Sequence, residues 1–111
     1  MEEKIKSYDD LEVYRKSCEL HLGICELSME FPKFELYELG SQIQRSSNSI
    51  AANIAEGWNN KHLNIYLEGI NRTQAELLET KHHLYMAFRK EYLSEITYKE
   101  FFEKCSECSK C

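Results

Sequence analysis

Proline and glycine are scarce in this sequence, with one proline and four glycines among 111 residues. Both residues weaken helices, because proline lacks a backbone N–H and glycine loses the most conformational freedom on folding. Leu, Glu and Lys, which favour helices, are abundant. The composition therefore predicts a mostly helical protein, and the length fits one domain, residues 1–111, with a single core.

Long apolar runs are also missing, and basic residues are too few to balance the acidic ones. No stretch can span a bilayer, and residues 1–14 lack the apolar segment of a signal peptide. We therefore expect a cytoplasmic protein without membrane contact. The net charge is −5, and its excess lies in residues 1–40, which carry five Lys or Arg against ten Asp or Glu. This imbalance opposes general attraction to nucleic acid.

The five cysteines form two groups. Cys18 and Cys25 are seven residues apart, on one helical face, and are predicted to be small core residues. Cys105, Cys108 and Cys111 have the spacing C-x-x-C-x-x-C. A zinc or iron–sulfur site would need a fourth ligand, which this run does not supply. We predict incidental thiols at a frayed helix end, with no metal and no cofactor.

Hydrophobic spacing predicts four helices, at about residues 9–30, 34–56, 61–91 and 95–108. Ser7 and Asp10 have the spacing of a capping box at the start of the first helix. Pro32 ends this helix, because proline disfavours helical geometry in the residue before it. Four helices with short connections predict an all-α, up-down-up-down four-helix bundle.

The second helix is predicted to have an apolar seam beside a polar seam. At 100° per residue, the polar seam contains Gln42, Arg45, Ser49, Asn53 and Glu56. Small residues fill most of the remaining surface and allow close approach of neighbouring helices. Gly57 is predicted to be the left-handed residue after the helix, with Trp58 folding back as the hydrophobic closure of that cap.

The third helix has heptad-like spacing, which predicts a continuous core-facing stripe made of Leu63, Tyr66, Leu67, Ile70, Leu77, Leu84 and Phe88. Gln74 and Lys81 interrupt this stripe, and Gly69 lies within it, which predicts a close helix crossing. In the fourth helix, Tyr98, Phe101, Phe102 and Cys105 are predicted to face inward. The expected core is completed by residues of the second and third helices, namely Leu39, Ile43, Ile50, Ile54, Leu77 and Leu84.

The segment "FPKFELYELGSQIQRSSNSIAANIAEGW" resembles the signature of the 23S rRNA-intervening-sequence, or four-helix-bundle, protein family. That signature has F-P and a Glu before L-x-x-Q-x-x-R-x-x-x-S-I-x-x-N-I-A-E-G. Its positions are occupied here by Phe31, Pro32, Glu35, Leu39, Gln42, Arg45, Ser49, Ile50, Asn53, Ile54, Ala55, Glu56 and Gly57. In the third helix, Glu76 and Leu77 match the family, whereas Asn71, Arg72 and Thr73 replace residues that are usually small.

The resemblance covers roughly residues 8–104 and implies a left-handed four-helix bundle that assembles into a homopentameric ring. Relatives include the accessory protein of diversity-generating retroelements, a basic pentamer that binds nucleic acid and a reverse transcriptase. Other members are encoded within insertions in bacterial 23S rRNA genes and have no settled function. We place Arg45, Asn53 and Glu56 near the contact between subunits or in the internal packing beside it.

Candidate sites have competing interpretations. The polar seam could bind a ligand, but hydrogen-bonded packing between helices or subunits explains it equally well. His82 and His83 adjoin Glu79, yet adjacent histidines on a helix point about 100° apart, so a solvated face is favoured over a metal site. No phosphate-binding loop, H-E-x-x-H or nucleophile elbow occurs. We therefore predict that the protein is not an enzyme.

The sequence is compatible with three functional classes. The favoured one is a non-enzymatic oligomeric scaffold that binds a protein partner. The alternative is a nucleic-acid-binding accessory protein acting with an RNA or a reverse transcriptase, for which Arg45, Lys61 and Arg72 are the candidate contacts. The third, an enzyme or metal protein, depends only on the cysteines and scattered histidines.

Overall fold

The computed structural model describes residues 7–58 and 62–109. They form four α-helices, α1 (Glu12–Ser28), α2 (Leu39–Trp58), α3 (Leu63–Arg89) and α4 (Glu95–Ser109). Short 3₁₀ helices precede α1 and α2, at Tyr8–Asp10 and Lys33–Glu35. Consecutive helices pack together and α4 returns to α1, which confirms the predicted all-α four-helix fold. Within the described segments, no helix combines the length and apolarity needed to cross a membrane.

The core runs along the bundle axis and is built mainly from aliphatic side chains. Its buried members are Leu20, Ile24, Leu27, Phe31, Leu39, Ile43, Ile50, Leu77, Leu84, Ala87, Leu93, Phe101, Cys105 and Cys108. Five of the six expected core residues are among them. Ile54 is only partly buried, because it lies at the edge of the core beside an open cavity.

Helix α1 begins later than the predicted residue 9. The Ser7 backbone N–H donates to Asp10 Oδ2 at 3.2 Å, and this capping box starts the 3₁₀ helix rather than α1. Leu11 then has extended geometry, with φ −77° and ψ 130°. The regular α-helix therefore starts at Glu12, and it ends at Ser28 rather than at residue 30.

Helix α2 begins at Leu39 rather than at residue 34, because the preceding segment is tied to another part of the molecule. Glu35 is only 4% exposed, and its Oε2 accepts hydrogen bonds from Lys90 Nζ and Tyr92 Oη, both at 2.8 Å. The Phe31 ring packs 5.5 Å from the Tyr92 ring. These contacts hold residues 31–35 against the connection between α3 and α4.

The end of α2 differs from the prediction, because Gly57 lies inside the helix and has no positive φ. Its role is packing: a Cβ added to Gly69 of α3 would lie 3.3 Å from Gly57 Cα. This geometry confirms that Gly69 permits a close crossing. Trp58 is the last residue of α2, and it lines a cavity with Asn53 and Ile54 instead of closing a cap.

Helix α3 ends at Arg89, two residues before the predicted end, and the residue that stops it is not a glycine. Glu91 has φ 66°, in the left-handed region. The Tyr92 N–H donates to the Ala87 carbonyl at 2.9 Å, as in a Schellman motif. Helix α4 spans Glu95–Ser109, one residue beyond its predicted end.

We name the two ends of the bundle after the connections and the cavity that they contain. The turn end contains the α1–α2 connection, residues 29–38, and the α3–α4 connection, residues 90–94. The cavity end contains the start of α1, the end of α2, the start of α3 and the end of α4. The antiparallel arrangement of the helices places these groups about one helix length apart.

Candidate functional site

The polar seam of α2 lies on the outside of the bundle. Gln42, Arg45 and Glu56 are exposed, whereas Ser49 and Asn53 are half-buried. The Ser49 hydroxyl donates to the Arg45 carbonyl at 2.9 Å, within the same helix. The seam is therefore not a buried polar layer, and its Arg45 side chain reaches across to α3.

Arg45 joins α2 to α3 through two carboxylates. Its Nη2 donates to Glu79 Oε2 at 2.5 Å, and its Nη1 lies 3.5 Å from Glu76 Oε2. The Arg45 guanidinium lowers the pKa of Glu79, whereas burial raises the pKa of Glu76. The Arg45 guanidinium thus pairs with both carboxylates. Glu76, the more buried of the two, loses its proton less readily than Glu79.

His83 extends this cluster into the bundle. It is 7% exposed, so the prediction of a solvated face is wrong for His83 and holds only for His82. Its Nε2 lies 3.7 Å from Glu79 Oε1, beyond hydrogen-bond distance, and burial lowers the pKa of His83. His83 therefore faces the interior of the bundle, although its neighbour His82 is exposed.

Near the C-terminal end of α2, the polar seam borders a small depression of about 120 Å³ between α2 and α3. Asn53 and Glu56 line one side, and Glu68 and Arg72 line the other. Arg72 Nη2 donates to Glu68 Oε1 at 2.5 Å, one turn away on α3. The depression is thus bounded by groups that already form an ion pair with each other.

The two proposed nucleic-acid contacts that the structure describes, Arg45 and Arg72, are both engaged in ion pairs. Arg45 pairs with acidic residues of α3, and Arg72 pairs with Glu68. Lys61 lies outside the described residues. Paired arginines on an acidic protein offer little net charge to phosphates, so these positions do not favour nucleic-acid binding.

An apolar cavity of about 370 Å³ opens at the cavity end, and the sequence did not predict it. Its walls come from all four helices and are Leu11, Glu12, Val13, Asn53, Ile54, Gly57, Trp58, Tyr66, Gly69, Ile70, Thr73, Gln74 and Cys108. The volume falls within the range of ligand and side-chain pockets. No periodic signal could reveal this cavity, because its walls combine residues of four helices that are far apart in the sequence.

Beside the cavity, the first three turns of α3 carry an exposed apolar stripe, which we define as Leu63, Tyr66, Leu67 and Ile70. Their exposed fractions are 67%, 38%, 45% and 41%. The prediction that the whole heptad pattern faces the core is therefore wrong for this half. Leu77 and Leu84, in the other half, are fully buried.

The cysteines also differ from their predictions. Cys105 and Cys108 belong to the core, and Ser17 Oγ donates a hydrogen bond to Cys108 Sγ at 3.7 Å. The end of α4 is therefore packed rather than frayed. Burial raises the pKa of Cys105 to about 12. Cys18 and Cys25 are only half-buried. Cys111 lies outside the described residues, and among residues 7–58 and 62–109 no three potential ligands cluster around a metal position.

Comparison with known proteins identifies the fold family. The family of 23S rRNA-intervening sequence proteins matches residues 9–111. A similar solved structure is that of a protein with unknown function from the S23 ribosomal protein family of Bacteroides thetaiotaomicron VPI-5482. It is 29% identical, has a TM-score of 0.77, and the match covers 88% of each chain. No curated protein matches the chain.

Proposed function

The chain belongs to the 23S rRNA-intervening sequence protein family, and we propose that it is a non-enzymatic oligomeric scaffold that binds a protein partner in the cytoplasm. The family match supports this proposal at the level of fold. The relation to the retroelement accessory protein stays a prediction, as does the pentameric ring. The observation that carries the proposal is the apolar stripe on α3.

The stripe has the properties of a subunit interface. It exposes four large apolar side chains on one helix, next to an open apolar cavity. Contiguous apolar surface of this kind on a single chain is typical of protein–protein contacts. Its members have a helical spacing of three and four residues, so a helix or a convex apolar edge of another chain can pack along it.

A closed ring uses head-to-tail contacts, in which two different patches meet. We assign Leu63 and Leu67, the two stripe residues that do not line the cavity, to one patch. The cavity, whose walls do not include these two residues, is assigned to the other. Asn53 lines the cavity and therefore adjoins this proposed contact, whereas Arg45 belongs to the packing between α2 and α3.

The polar chemistry of the seam fits a structural role better than a catalytic one. Arg45 is held by two carboxylates, and the Ser49 hydroxyl is bonded to the helix backbone. His83 is buried behind Glu79. Side chains fixed in this way stabilise the α2–α3 pair.

The assembly is tested by light scattering on the purified chain and on two matched variants. Wild type is expected at five times the chain mass of 13.2 kDa. Leu67→Glu places a charge in the proposed contact and is expected to reduce the mass to that of one chain. Ile96→Glu makes the same change at a position that is 81% exposed on α4 and is expected to retain the assembly.

Circular dichroism provides the necessary control, because Leu67 is already exposed in the single chain and its variant should keep the wild-type helix content. A wild-type protein that stays monomeric over roughly a hundredfold range of concentration would contradict the proposal. Equal effects of the two glutamate substitutions would show that the stripe has no special role in assembly.

A further inference from the structure

A thiol, an imidazole and a hydroxyl meet where the second half of α1 packs against α2. His21 and Cys25 lie one turn apart on α1, and Ser47 faces them from α2. Cys25 Sγ lies 3.5 Å from His21 Nε2, and His21 Nδ1 lies 2.8 Å from Ser47 Oγ. Each pair is within hydrogen-bond distance. One histidine therefore contacts a sulfur through one ring nitrogen and an oxygen through the other.

The Ser47 hydroxyl fixes the tautomer of the imidazole. Ser47 Oγ donates its single proton to the Gln44 carbonyl at 3.2 Å, so it accepts the Nδ1 proton of His21. The other nitrogen, Nε2, then carries a free lone pair, and it is the ring nitrogen closer to Cys25 Sγ, since Nδ1 lies 3.9 Å away. His21 is thus placed to accept the thiol proton of Cys25.

A second polar contact between α1 and α2 holds the backbone around these three side chains. Ser28 Oγ donates to the Cys25 carbonyl at 2.9 Å and accepts a hydrogen bond from Gln44 Nε2 at 2.6 Å. Ser28 and Ser47 are fully buried, whereas His21 and Cys25 are half-buried. The supporting groups are therefore shielded, and the thiol and the imidazole are partly accessible. A nucleophile beside a base that a third group orients is the arrangement that activates protein nucleophiles.

The thiol and the imidazole are both neutral at rest. Burial raises the pKa of the Cys25 thiol and lowers the pKa of the His21 imidazole. A thiol with a raised pKa is the stronger nucleophile once its proton is removed. That proton must leave as the sulfur attacks, and the unprotonated Nε2 at 3.5 Å is positioned to accept it. The reactivity of Cys25 therefore depends on His21.

A shallow depression of about 550 Å³ opens beside His21. Its other lining residues are Leu36, Tyr37, Ser41, Gln44, Arg45 and Asn48. The charge of Arg45 is already paired with two carboxylates of α3, so the lining is polar and carries little net charge. A small molecule can enter the depression and reach the imidazole, whereas the half-burial of Cys25 restricts the approach of a bulky one.

We infer that Cys25 is a site of thiol–disulfide exchange with a low-molecular-weight disulfide, R–S–S–R, and that His21 is the base for this reaction. Cys25 Sγ attacks one sulfur of the disulfide, so that a new S–S bond forms while the old one breaks. The Cys25 sulfur is oxidised and the leaving sulfur is reduced. The thiol proton passes to His21 Nε2 and then to the leaving thiolate, which departs as R–SH. The product is a mixed disulfide on Cys25, a modification of the chain itself that does not depend on the proposed scaffold function.

The experiment measures how fast the full wild-type chain reacts with oxidised glutathione. Samples are quenched with acid and cleaved after glutamate, which places Cys18 in residues 13–19 and Cys25 in residues 20–26, and mass spectrometry quantifies the adduct on each peptide. Cys18 is the internal control, because it is also half-buried on α1 but bonds to Tyr14 instead of a histidine. We expect Cys25 to react at least about tenfold faster than Cys18 near neutral pH.

Matched histidine variants test the base. His21→Gln removes the base but keeps a polar side chain, and it should slow the reaction of Cys25 at least about tenfold. His82→Gln makes the same change at an exposed position on α3 and should leave the rate unchanged. The Cys18 rate in each sample reports on the fold, because unfolding would accelerate Cys18 as well.

The pH profile separates a base from a structural side chain. Between about pH 7 and 8 the wild-type rate at Cys25 should change little, because His21 is unprotonated and the thiol still holds its proton. In His21→Gln the rate should rise about tenfold per pH unit, as for an isolated thiol. Ser47→Ala keeps the base but releases its tautomer, so it should slow Cys25 by a smaller factor of about three and retain the flat profile.

Three results would overturn the inference. They are equal rates at Cys25 and Cys18 in the wild type, an unchanged Cys25 rate in His21→Gln, and a wild-type rate that rises about tenfold per pH unit. Light scattering on the same samples separates this result from the assembly. His21 and Cys25 belong neither to the α3 stripe nor to the cavity walls, so a monomeric chain that still reacts at Cys25 refutes only the proposed ring.

Discussion

The two ends of the bundle are held together by different chemistry. At the turn end, one buried carboxylate on Glu35 joins the α1–α2 connection to the α3–α4 connection through Lys90 and Tyr92. At the cavity end, α2 and α3 meet through the backbones of Gly57 and Gly69, beside the open cavity.

This difference explains where apolar surface is exposed. Side-chain bridges fix the turn end within one chain, so the aromatic side chains there protrude from a rigid frame. The glycine contact fixes the α2 side of α3, and α4, with 15 residues against 27 in α3, is too short to cover the whole of α3. The stripe therefore remains exposed in the single chain.

The largest effect is expected between the two ends, at the fully buried Ile50. Ile50→Asp places an unpaired charge in the core and should reduce the free energy of unfolding by at least about 4 kcal/mol, which abolishes the fold. Urea titration followed by circular dichroism measures this loss. Ala52→Asp, an exposed position on the same helix, is the control, and similar losses for both would contradict the core assignment.

The glycine contact is the next most sensitive point. Gly69→Leu would push side-chain atoms into the α2 backbone, since even a Cβ would lie 3.3 Å from Gly57 Cα, and should cost about 2–3 kcal/mol. Gly57→Ala would place its Cβ at an ordinary 3.7 Å from Gly69 Cα and gains helix propensity, so it should not destabilise. Thermal unfolding distinguishes the two, and a tolerated leucine would contradict the close crossing.

The buried carboxylate of the turn end gives a smaller and pH-dependent effect. Hydrogen bonds from Lys90 and Tyr92 hold the pKa of Glu35 below its usual value. Its contribution to stability is therefore fully present above pH 4.5, the unfolded pKa, and is lost as the pH falls through the lower folded pKa. Glu35→Gln should cost about 1–2 kcal/mol near neutral pH and almost nothing in acid.

Denaturation of wild type and Glu35→Gln at a series of pH values across this range measures whether their free energies of unfolding become equal as the pH falls. Glu38→Gln, at an exposed position in the same turn, is the control and should follow the wild type. If the difference between wild type and Glu35→Gln stayed constant as the pH decreased, the charge of Glu35 would not be what joins the two connections.

The smallest effect is expected at the end of α3. Glu91 has φ 66°, a conformation that side chains with a Cβ adopt at a cost of about 1 kcal/mol. Glu91→Gly should therefore stabilise the protein by up to about 1 kcal/mol, whereas Glu91→Ala removes the carboxylate but keeps the Cβ and should not. Thermal midpoints of the two variants test whether the backbone conformation is responsible.

The regular parts of the fold were predictable from the sequence, because they depend on local rules. The spacing of Leu39, Ile43 and Ile50 defined the buried face of α2, and hydrophobic spacing along the chain predicted the four helices. The family signature also depends on local spacing. By contrast, the predicted roles of Gly57 and His83 were wrong, because Gly57 packs against Gly69 of the next helix and His83 is buried although its neighbour His82 is exposed.

The polar seam shows which features follow from local spacing in the sequence and which depend on tertiary packing. Its helical spacing placed Arg45 and Asn53 on one face, but only the packing of α3 against α2 determined that Arg45 would meet Glu76 and Glu79. Glu76 and Glu79 lie 31 and 34 residues away in the sequence, so no helical period connects them to Arg45. Whether the side chains of a polar seam are buried, ion-paired or exposed therefore depends on the helix that packs against them.

By itself, the sequence determined an all-α chain, the faces of its helices, its acidic first third and its family, because these follow from composition and from residues near each other. Only the tertiary structure decided that half of the α3 stripe is uncovered and that Glu35 is buried. The physical reason is that a heptad pattern specifies the direction of a face, whereas burial depends on whether another helix reaches that face. Helix α4 is shorter than α3, and this inequality leaves the stripe exposed.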